Sequence, residues 1–277
     1  AMIGLLVLDL DGTIIGSDGQ VDDCVWEGIE ELHKAGVRVC ACTGRPGLGT
    51  ALRIAERIGP RHGHVFQNGA VVAEPNGDTL NAAALKEQDI LHLVARAREL
   101  NYPLELYTPT NVYIERRTPA LEEHAKLIGI NALVRDLNEV ARSEPVVRAQ
   151  WVVEAGQREE AEAISIDGTE ITSGTAPALP GKAFVSVTRA GVDKGSGLRS
   201  VVKSLGVELE NVMAIGDSSG DVPMLEIVGH PRVMPNGEPQ LQEVYPTLRK
   251  SVDECGVLEA FEQILRGRNV RSSDGTG

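Results

Sequence analysis

The feature that most restricts the fold is a short apolar run that ends in acid: Leu5-Leu6-Val7-Leu8-Asp9-Leu10-Asp11-Gly12-Thr13. Four aliphatic residues without a charge suit an interior parallel strand covered on both faces better than a strand with one wet face. In an open parallel sheet, ligands gather beyond the carboxyl ends of the strands, which is where Asp9 emerges. Side chains two apart on an extended chain share a face, so Asp9 and Asp11 can converge on one ligand while Gly12 permits a sharp exit. The pair is a candidate metal and phosphate site; an ordinary Asp-x-Asp-Gly turn is the rival reading.

The stretch that follows repeats the theme. Val25, Ile29 and Leu32 fall at helical spacing before Gly36, and Val37 to Cys42 is a second apolar strand leaving through Thr43-Gly44-Arg45-Pro46. Leu48, Leu52, Ile54 and Ile58 mark the next helix, and this β-α-β-α series predicts a parallel sheet. Val65-Phe66 and Ala70 to Ala73 flank Gln67-Asn68-Gly69, a hairpin signal. From about Leu85 the pattern changes to strands at Leu104 to Tyr107, Val112 to Glu115 and Val146 to Glu154, with amphipathic stretches between them. The βα rhythm is read as resuming at Phe184 to Val187. Asp193-Lys194-Gly195 then opens a helix, and Val212 to Ile215 exits through Gly216-Asp217-Ser218-Ser219-Gly220-Asp221. A short strand at Arg232 to Met234 and a helix at Val257 to Leu265 complete the pattern. The expected fold is α/β: a Rossmann-like parallel-sheet core from residues 1–84 and 183–266, an α+β domain inserted at 85–182, and a polar, disordered tail at 267–277.

A chain of 277 residues has room for two such domains. Its net charge of −13 argues against nucleic acid or anionic membrane as a partner, so any phosphate-handling site needs its own local positive charge. No apolar run reaches spanning length and the start lacks a secretory pattern, which makes a soluble cytoplasmic protein the expectation. Cys24, Cys40, Cys42 and Cys255 show no CxxC and no matching histidine set, so neither a disulfide nor a zinc site is expected. Cys40 and Cys42 read as buried free thiols, and the histidines find no triad partner.

If the strands are parallel, four polar exits meet on one edge: Asp9 with Asp11, Thr43, Lys194, and Asp217 with Asp221. Carboxylates from two loops offer the oxygen ligands that Mg²⁺ prefers, while a lysine and a hydroxyl can hold a transferring phosphoryl group. Asp-Leu-Asp-Gly-Thr, Thr-Gly-Arg, Asp-Lys-Gly and Gly-Asp-x-x-x-Asp, in that order and with the insertion between the second and third, resemble the haloacid dehalogenase (HAD) superfamily of phosphatases. The placement of the insertion is similar to the Cof-type members with a C2 cap.

That resemblance implies that Asp9 is a nucleophile forming an aspartyl-phosphate and that Asp11 is the proton donor and acceptor. It implies that Thr43 and Lys194 bind the phosphoryl group, and that Asp9, the Asp11 carbonyl and Asp217 hold Mg²⁺ with Asp221 beside them. Gly44, Arg45 and Asn68 are candidate substrate contacts, whereas Arg116 and Arg117 read as a solvated pair. One departure stands out, because Gly220 occupies a position where the family usually has Asn. The implied activity is Mg²⁺-dependent hydrolysis of small phosphorylated metabolites, sugar phosphates first. A phosphotransferase of phosphomannomutase type and a non-catalytic binding module are the alternatives. The oligomeric state is not legible.

Overall fold

The computed structural model describes residues 2–273. The chain begins with β1 (Leu5–Leu8), α1 (Asp23–Lys34), β2 (Arg38–Ala41), α2 (Gly49–Ile58), and the short strands β3 (His64–Phe66), β4 (Val71–Ala73) and β5 (Thr79–Ala82). It continues through α3 (Glu87–Leu100), β6 (Leu104–Tyr107), β7 (Val112–Ile114), α4 (Pro119–Ile128), β8 (Leu133–Val134), α5 (Leu137–Ser143), β9 (Arg148–Glu154), α6 (Arg158–Glu162), β10 (Thr169–Gly174) and β11 (Lys182–Arg189). It ends with α7 (Lys194–Leu205), β12 (Val212–Gly216), α8 (Val222–Leu225), β13 (His230–Val233), α9 (Pro239–Gln242) and α10 (Leu258–Ser273).

β1 is buried at every position and sits between β2 and β12 in a parallel sheet of order β13-β12-β1-β2, which a parallel bridge from Cys42 to Val65 extends toward β3. Leu6 and Leu8 pack against α1 and α10 side chains such as Ile29 and Phe261, and Leu5 and Val7 pack with Leu198 and Val201 of α7 on the other face. Truncating one such leucine to alanine costs about 2–5 kcal/mol. Because β1, β2 and β12 run in the same direction, their C-terminal exits share one edge.

The inserted unit is a six-stranded sheet of order β10-β11-β9-β6-β7-β8. Alternation gives it two unlike faces. Leu106, Ala149, Trp151 and Val185 point to α3 and α5 residues such as Leu93 and Val140, forming a separate apolar core. Glu105, Arg148, Gln150 and Ser186 are buried on the opposite face, and Arg148, Gln150 and Ser186 line a pocket above the exits of the parallel sheet. The inserted sheet thus roofs the edge that carries Asp9.

Three expectations are corrected. Phe184 to Val187 does not resume the parallel core: it lies in β11, antiparallel to both β9 and β10. The run looks interior because Val185 and Val187 enter the roof's apolar core while Phe184 packs on its other side. Residues 267–273 continue helix α10, anchored by Arg268 donating to the Ala35 carbonyl at 2.7 Å, whereas 274–277 lie outside the described residues. Cys24 and Cys255 are joined as a disulfide, which sequence spacing could not announce across a separation of 231 residues; Cys40 and Cys42 are buried and free, as expected. Among the described residues no helix is long and apolar enough to cross a membrane.

Candidate active site

The floor of the pocket is built where three chain segments leave the parallel sheet. Asp9, one residue beyond β1, is tied to the sheet by its N–H donating to the Ile215 carbonyl at 3.0 Å. Lys194 is the first residue of α7, whose start is fixed by a reciprocal pair: the Ser196 N–H donates to Asp193 Oδ1 at 2.8 Å, and the Asp193 N–H donates to Ser196 Oγ at 3.0 Å. Lys194 Nζ donates to Asp9 Oδ1 at 3.0 Å and to Asp221 Oδ1 at 2.6 Å. The other Asp221 oxygen accepts from the N–H groups of Asp217 and Ser218 at 2.8 and 3.1 Å, so Asp221 fixes both the lysine and its own loop.

Asp9, Asp217 and Asp221 each place a carboxylate oxygen within 4.8 Å of the others, and all three residues are buried. Burial, then the facing Asp221, raises the Asp9 carboxyl to about 7 despite Lys194 beside it. Burial together with Asp9 and Asp221 pushes the Asp217 carboxyl well up, and Asp217 Oδ1 is buried without a hydrogen-bond partner among the described residues. Burial disfavours the Lys194 ammonium, yet Asp221 and Asp9 outweigh it and hold its pKa well above the usual value. One lysine cannot settle three crowded carboxylates. A divalent cation can, so the donor set fits a hard metal ion. Gly12 makes the crowding feasible: at its φ of +79°, a Cβ would come within 1.9 Å of Asp217 Oδ2.

Asp11 points to a different wall. Arg45 Nε and Nη2 donate to its two oxygens at 2.7 Å each, a bidentate pair. Burial works to raise the Asp11 carboxyl, but Arg45 outweighs it and holds it below the ordinary range. Arg45 also donates to the Leu127 carbonyl near the end of α4 at 3.3 Å, linking Asp11 to the roof. Thr43 is buried, its Oγ1 accepting from the Arg45 N–H at 3.0 Å. Gly44 lies against Asn68, whose side chain a Cβ at Gly44 would meet at 3.0 Å.

The turn carrying Asn68 has an unusual backbone. Gln67, Asn68 and Gly69 all have positive φ, at 54°, 55° and 97°, and the first two are not glycine. Strain here is held by dense contacts: the Asn68 N–H donates to the Thr43 carbonyl at 3.0 Å, and Gly69 presses against the Asp193 backbone, where a Cβ would lie 1.9 Å from its carbonyl oxygen.

All the residues expected at the site reach one pocket wall or its floor. Asp9, Asp11, Thr43, Gly44, Arg45, Asn68 and Lys194 line the pocket, and Asp217 and Asp221 stand with Asp9 at its base. Gly220 also lines it, and a Cβ there would meet the Ser173 carbonyl of β10 at 3.2 Å. The small residue lets the roof descend onto this loop, where Ser219 Oγ donates to the same carbonyl at 3.2 Å and Arg158 pairs with Glu238. Arg116 is exposed and donates to Asn101 Oδ1, away from the pocket. Sequence reasoning missed the roof's buried polar group: Arg148, Gln150, Glu105, Ser186 and His124. Only the alternation Arg148-Ala149-Gln150-Trp151 hints that one face of β9 is polar. Cys40, His62 and His64 also cluster, but His64 spends both ring nitrogens, on the Ala41 N–H and the Gly59 carbonyl, as a structural link between β2 and β3.

Buried Asp9 beside Lys194, with the acidic loop of Asp217 and Asp221 and a roof above them, is an arrangement whose chemistry suits the binding of a cation and a phosphoryl group on an α/β scaffold. The family model of the haloacid dehalogenase-like hydrolases matches residues 6–261, and the chain belongs to that family. It is 25% identical over 285 residues to the 5-amino-6-(5-phospho-D-ribitylamino)uracil phosphatase of Bacillus subtilis, a match covering 95% of this chain and 98% of the relative. Among solved structures, the HAD subclass IIB sugar phosphatase BT4131 aligns with a TM-score of 0.79 at 20% identity, over 94% of this chain and 98% of that one. The phosphatase BT1666 from Bacteroides thetaiotaomicron aligns at 0.76 with 24% identity, over 95% of each chain. The protein is accordingly a haloacid dehalogenase-like hydrolase.

Proposed function

We propose that the protein is a Mg²⁺-dependent cytoplasmic phosphatase of small phosphorylated metabolites, sugar phosphates foremost, working through an aspartyl-phosphate on Asp9. The observation that carries this reading is the placement of Asp9: buried at the end of the central strand, paired with Lys194 and faced by Asp217. Asp9, the Asp11 carbonyl and Asp217 would hold the ion, with Asp221 held behind them by Lys194 and the loop. When bound, Mg²⁺ supplies positive charge against the phosphoryl oxygens.

An Asp9 carboxylate oxygen attacks phosphorus, the ester oxygen departs, and Asp11 supplies its proton. Water then gives a proton back to Asp11 as it attacks phosphorus, releasing phosphate and restoring Asp9. Thr43 and Lys194 hold the phosphoryl oxygens through both steps. In the pair with Arg45, Asp11 is a carboxylate, so donation of a proton requires that pair to loosen as substrate enters. The roof excludes bulk water and contacts the leaving group. Phosphate release from sugar phosphates and from an aryl phosphate, measured with Mg²⁺ and with chelator, tests the reading; no release from any ester with Mg²⁺ present sinks it.

A further inference from the structure

The roof holds a guanidinium that the hydrolytic chemistry does not use. Arg148 is 1% exposed yet lines the pocket, and its hydrogen bonds run only to neutral oxygens. Nε donates to Gln67 Oε1 at 2.8 Å, and Nη1 donates to Gln150 Oε1 at 2.6 Å and to Ser186 Oγ at 3.1 Å. The guanidinium lies over the Tyr107 ring, 3.9 Å from its centre. The nearest buried carboxylate, Glu105, is engaged elsewhere: Oε1 accepts from Gln150 Nε2 at 3.0 Å and Oε2 faces His124 Nδ1 at 2.8 Å. Among the described residues no carboxylate forms an ion pair with Arg148. Tyr107 also lines the pocket, fully buried, and its hydroxyl has no hydrogen-bond partner among the described residues.

A buried cation with neutral partners and an orphan hydroxyl beside it are costly to maintain unless a ligand completes them. The phosphoryl group has Lys194 at the floor, and Arg45 is committed to Asp11. A neutral polyol would be served by Gln150, Ser186 and Thr172, and would leave the charge of Arg148 unanswered. We infer that the preferred substrates are phosphate monoesters whose alcohol carries a second anionic group, a carboxylate or another phosphate, received by Arg148 with the Tyr107 hydroxyl. The inference rests on the phosphatase reading of this site and narrows its substrate class. Gln67 then has a purpose in its strained turn: it fixes the Arg148 fork from the floor side.

Binding separates this inference from the parent reading, because it needs no turnover. Calorimetry on the Asp9→Asn protein with glycerate 3-phosphate, hexose 1,6-bisphosphate and hexose 6-phosphate should show at least one doubly anionic ester bound about tenfold or more tighter than the neutral hexose ester. Whichever of the first two binds tighter identifies the second group as carboxylate or phosphate. Arg148→Gln should erase that ratio and Arg148→Lys should keep part of it. Should Arg148→Gln fail to fold, competition in the wild-type protein serves instead: glycerate 3-phosphate or hexose 1,6-bisphosphate must inhibit aryl phosphate hydrolysis at a lower concentration than hexose 6-phosphate. Equal or tighter binding of the neutral ester, or a ratio unchanged in Arg148→Gln, overturns the inference even if hydrolysis is robust. Selective binding without hydrolysis of any ester by the wild-type protein leaves it standing and overturns the phosphatase reading alone.

Discussion

The floor and the roof of the pocket solve the problem of buried charge in opposite ways. On the floor, Lys194 touches two carboxylates directly, and Asp9, Asp217 and Asp221 crowd together, so that charge is concentrated at one point. On the roof, Arg148 and Glu105 are kept apart by the Gln150 carboxamide, and charge is spread through neutral groups. Direct pairs give a fixed field for one chemical step. Separated charges leave donors and acceptors free for a guest. The floor is suited to chemistry common to all phosphate esters, and the roof to choosing among them.

That contrast can be broken experimentally, beginning where the effect is largest. Asp9→Asn should lower kcat by more than about 10³-fold while the far-ultraviolet spectrum and the unfolding midpoint stay near wild type. A variant with substantial turnover would show that the floor does not supply the nucleophile. Arg45→Ala should move the alkaline limb of the kcat/KM profile upward, because kcat/KM reports the step in which Asp11 gives up its proton and Arg45 is what holds that carboxyl down. An unmoved limb would separate Asp11 from the proton transfers.

Gly220→Asn probes the seam between the two regions. The neighbour of its new Cβ is the Ser173 backbone, so the roof must lift slightly, and KM should rise by roughly severalfold with a smaller change in kcat. Equal loss in both parameters would place Gly220 with the chemistry instead. Away from both regions, burial holds the His64 imidazole down at about 3, far below its value in an unfolded chain. Between about pH 6.5 and 3 the unfolded state takes up the proton and the folded state does not, so stability is fully present above that window and falls with pH by up to about 1.4 kcal/mol per unit. Urea midpoints from pH 7 to 4 should fall more steeply in wild type than in His64→Asn, and parallel slopes would refute the assignment.

The floor was legible in the sequence because its residues sit at strand exits marked by glycine or at a helix start: Gly12 after Asp11, Gly44 after Thr43, Gly216 before Asp217, and Lys194 after the capping Asp193. Local chemistry there mirrors the three-dimensional arrangement. The roof was illegible because its polar residues lie inside strands with no glycine or turn beside them to mark a site, and their partnership, Arg148 with Gln67 and Ser186, appears only once the sheets are assembled. β11 misled for a related reason, since a strand buried on both faces reads alike in a parallel core and in a roof that is itself covered. β10, with Thr169, Glu170 and Thr172, is too polar to announce itself before its pairing with β11 is known.

The turn at Gln67-Asn68-Gly69 has a consequence for anyone wishing to transplant specificity. Its first side chain serves the roof, its second the floor, and its third residue seats the helix that carries Lys194. A graft that exchanged only the inserted unit would arrive without the glutamine that its arginine expects, and a graft that altered the glutamine would disturb a backbone on which the lysine depends. The modular boundary drawn by chain order therefore does not coincide with the boundary of the working part, which includes these three residues from the other side.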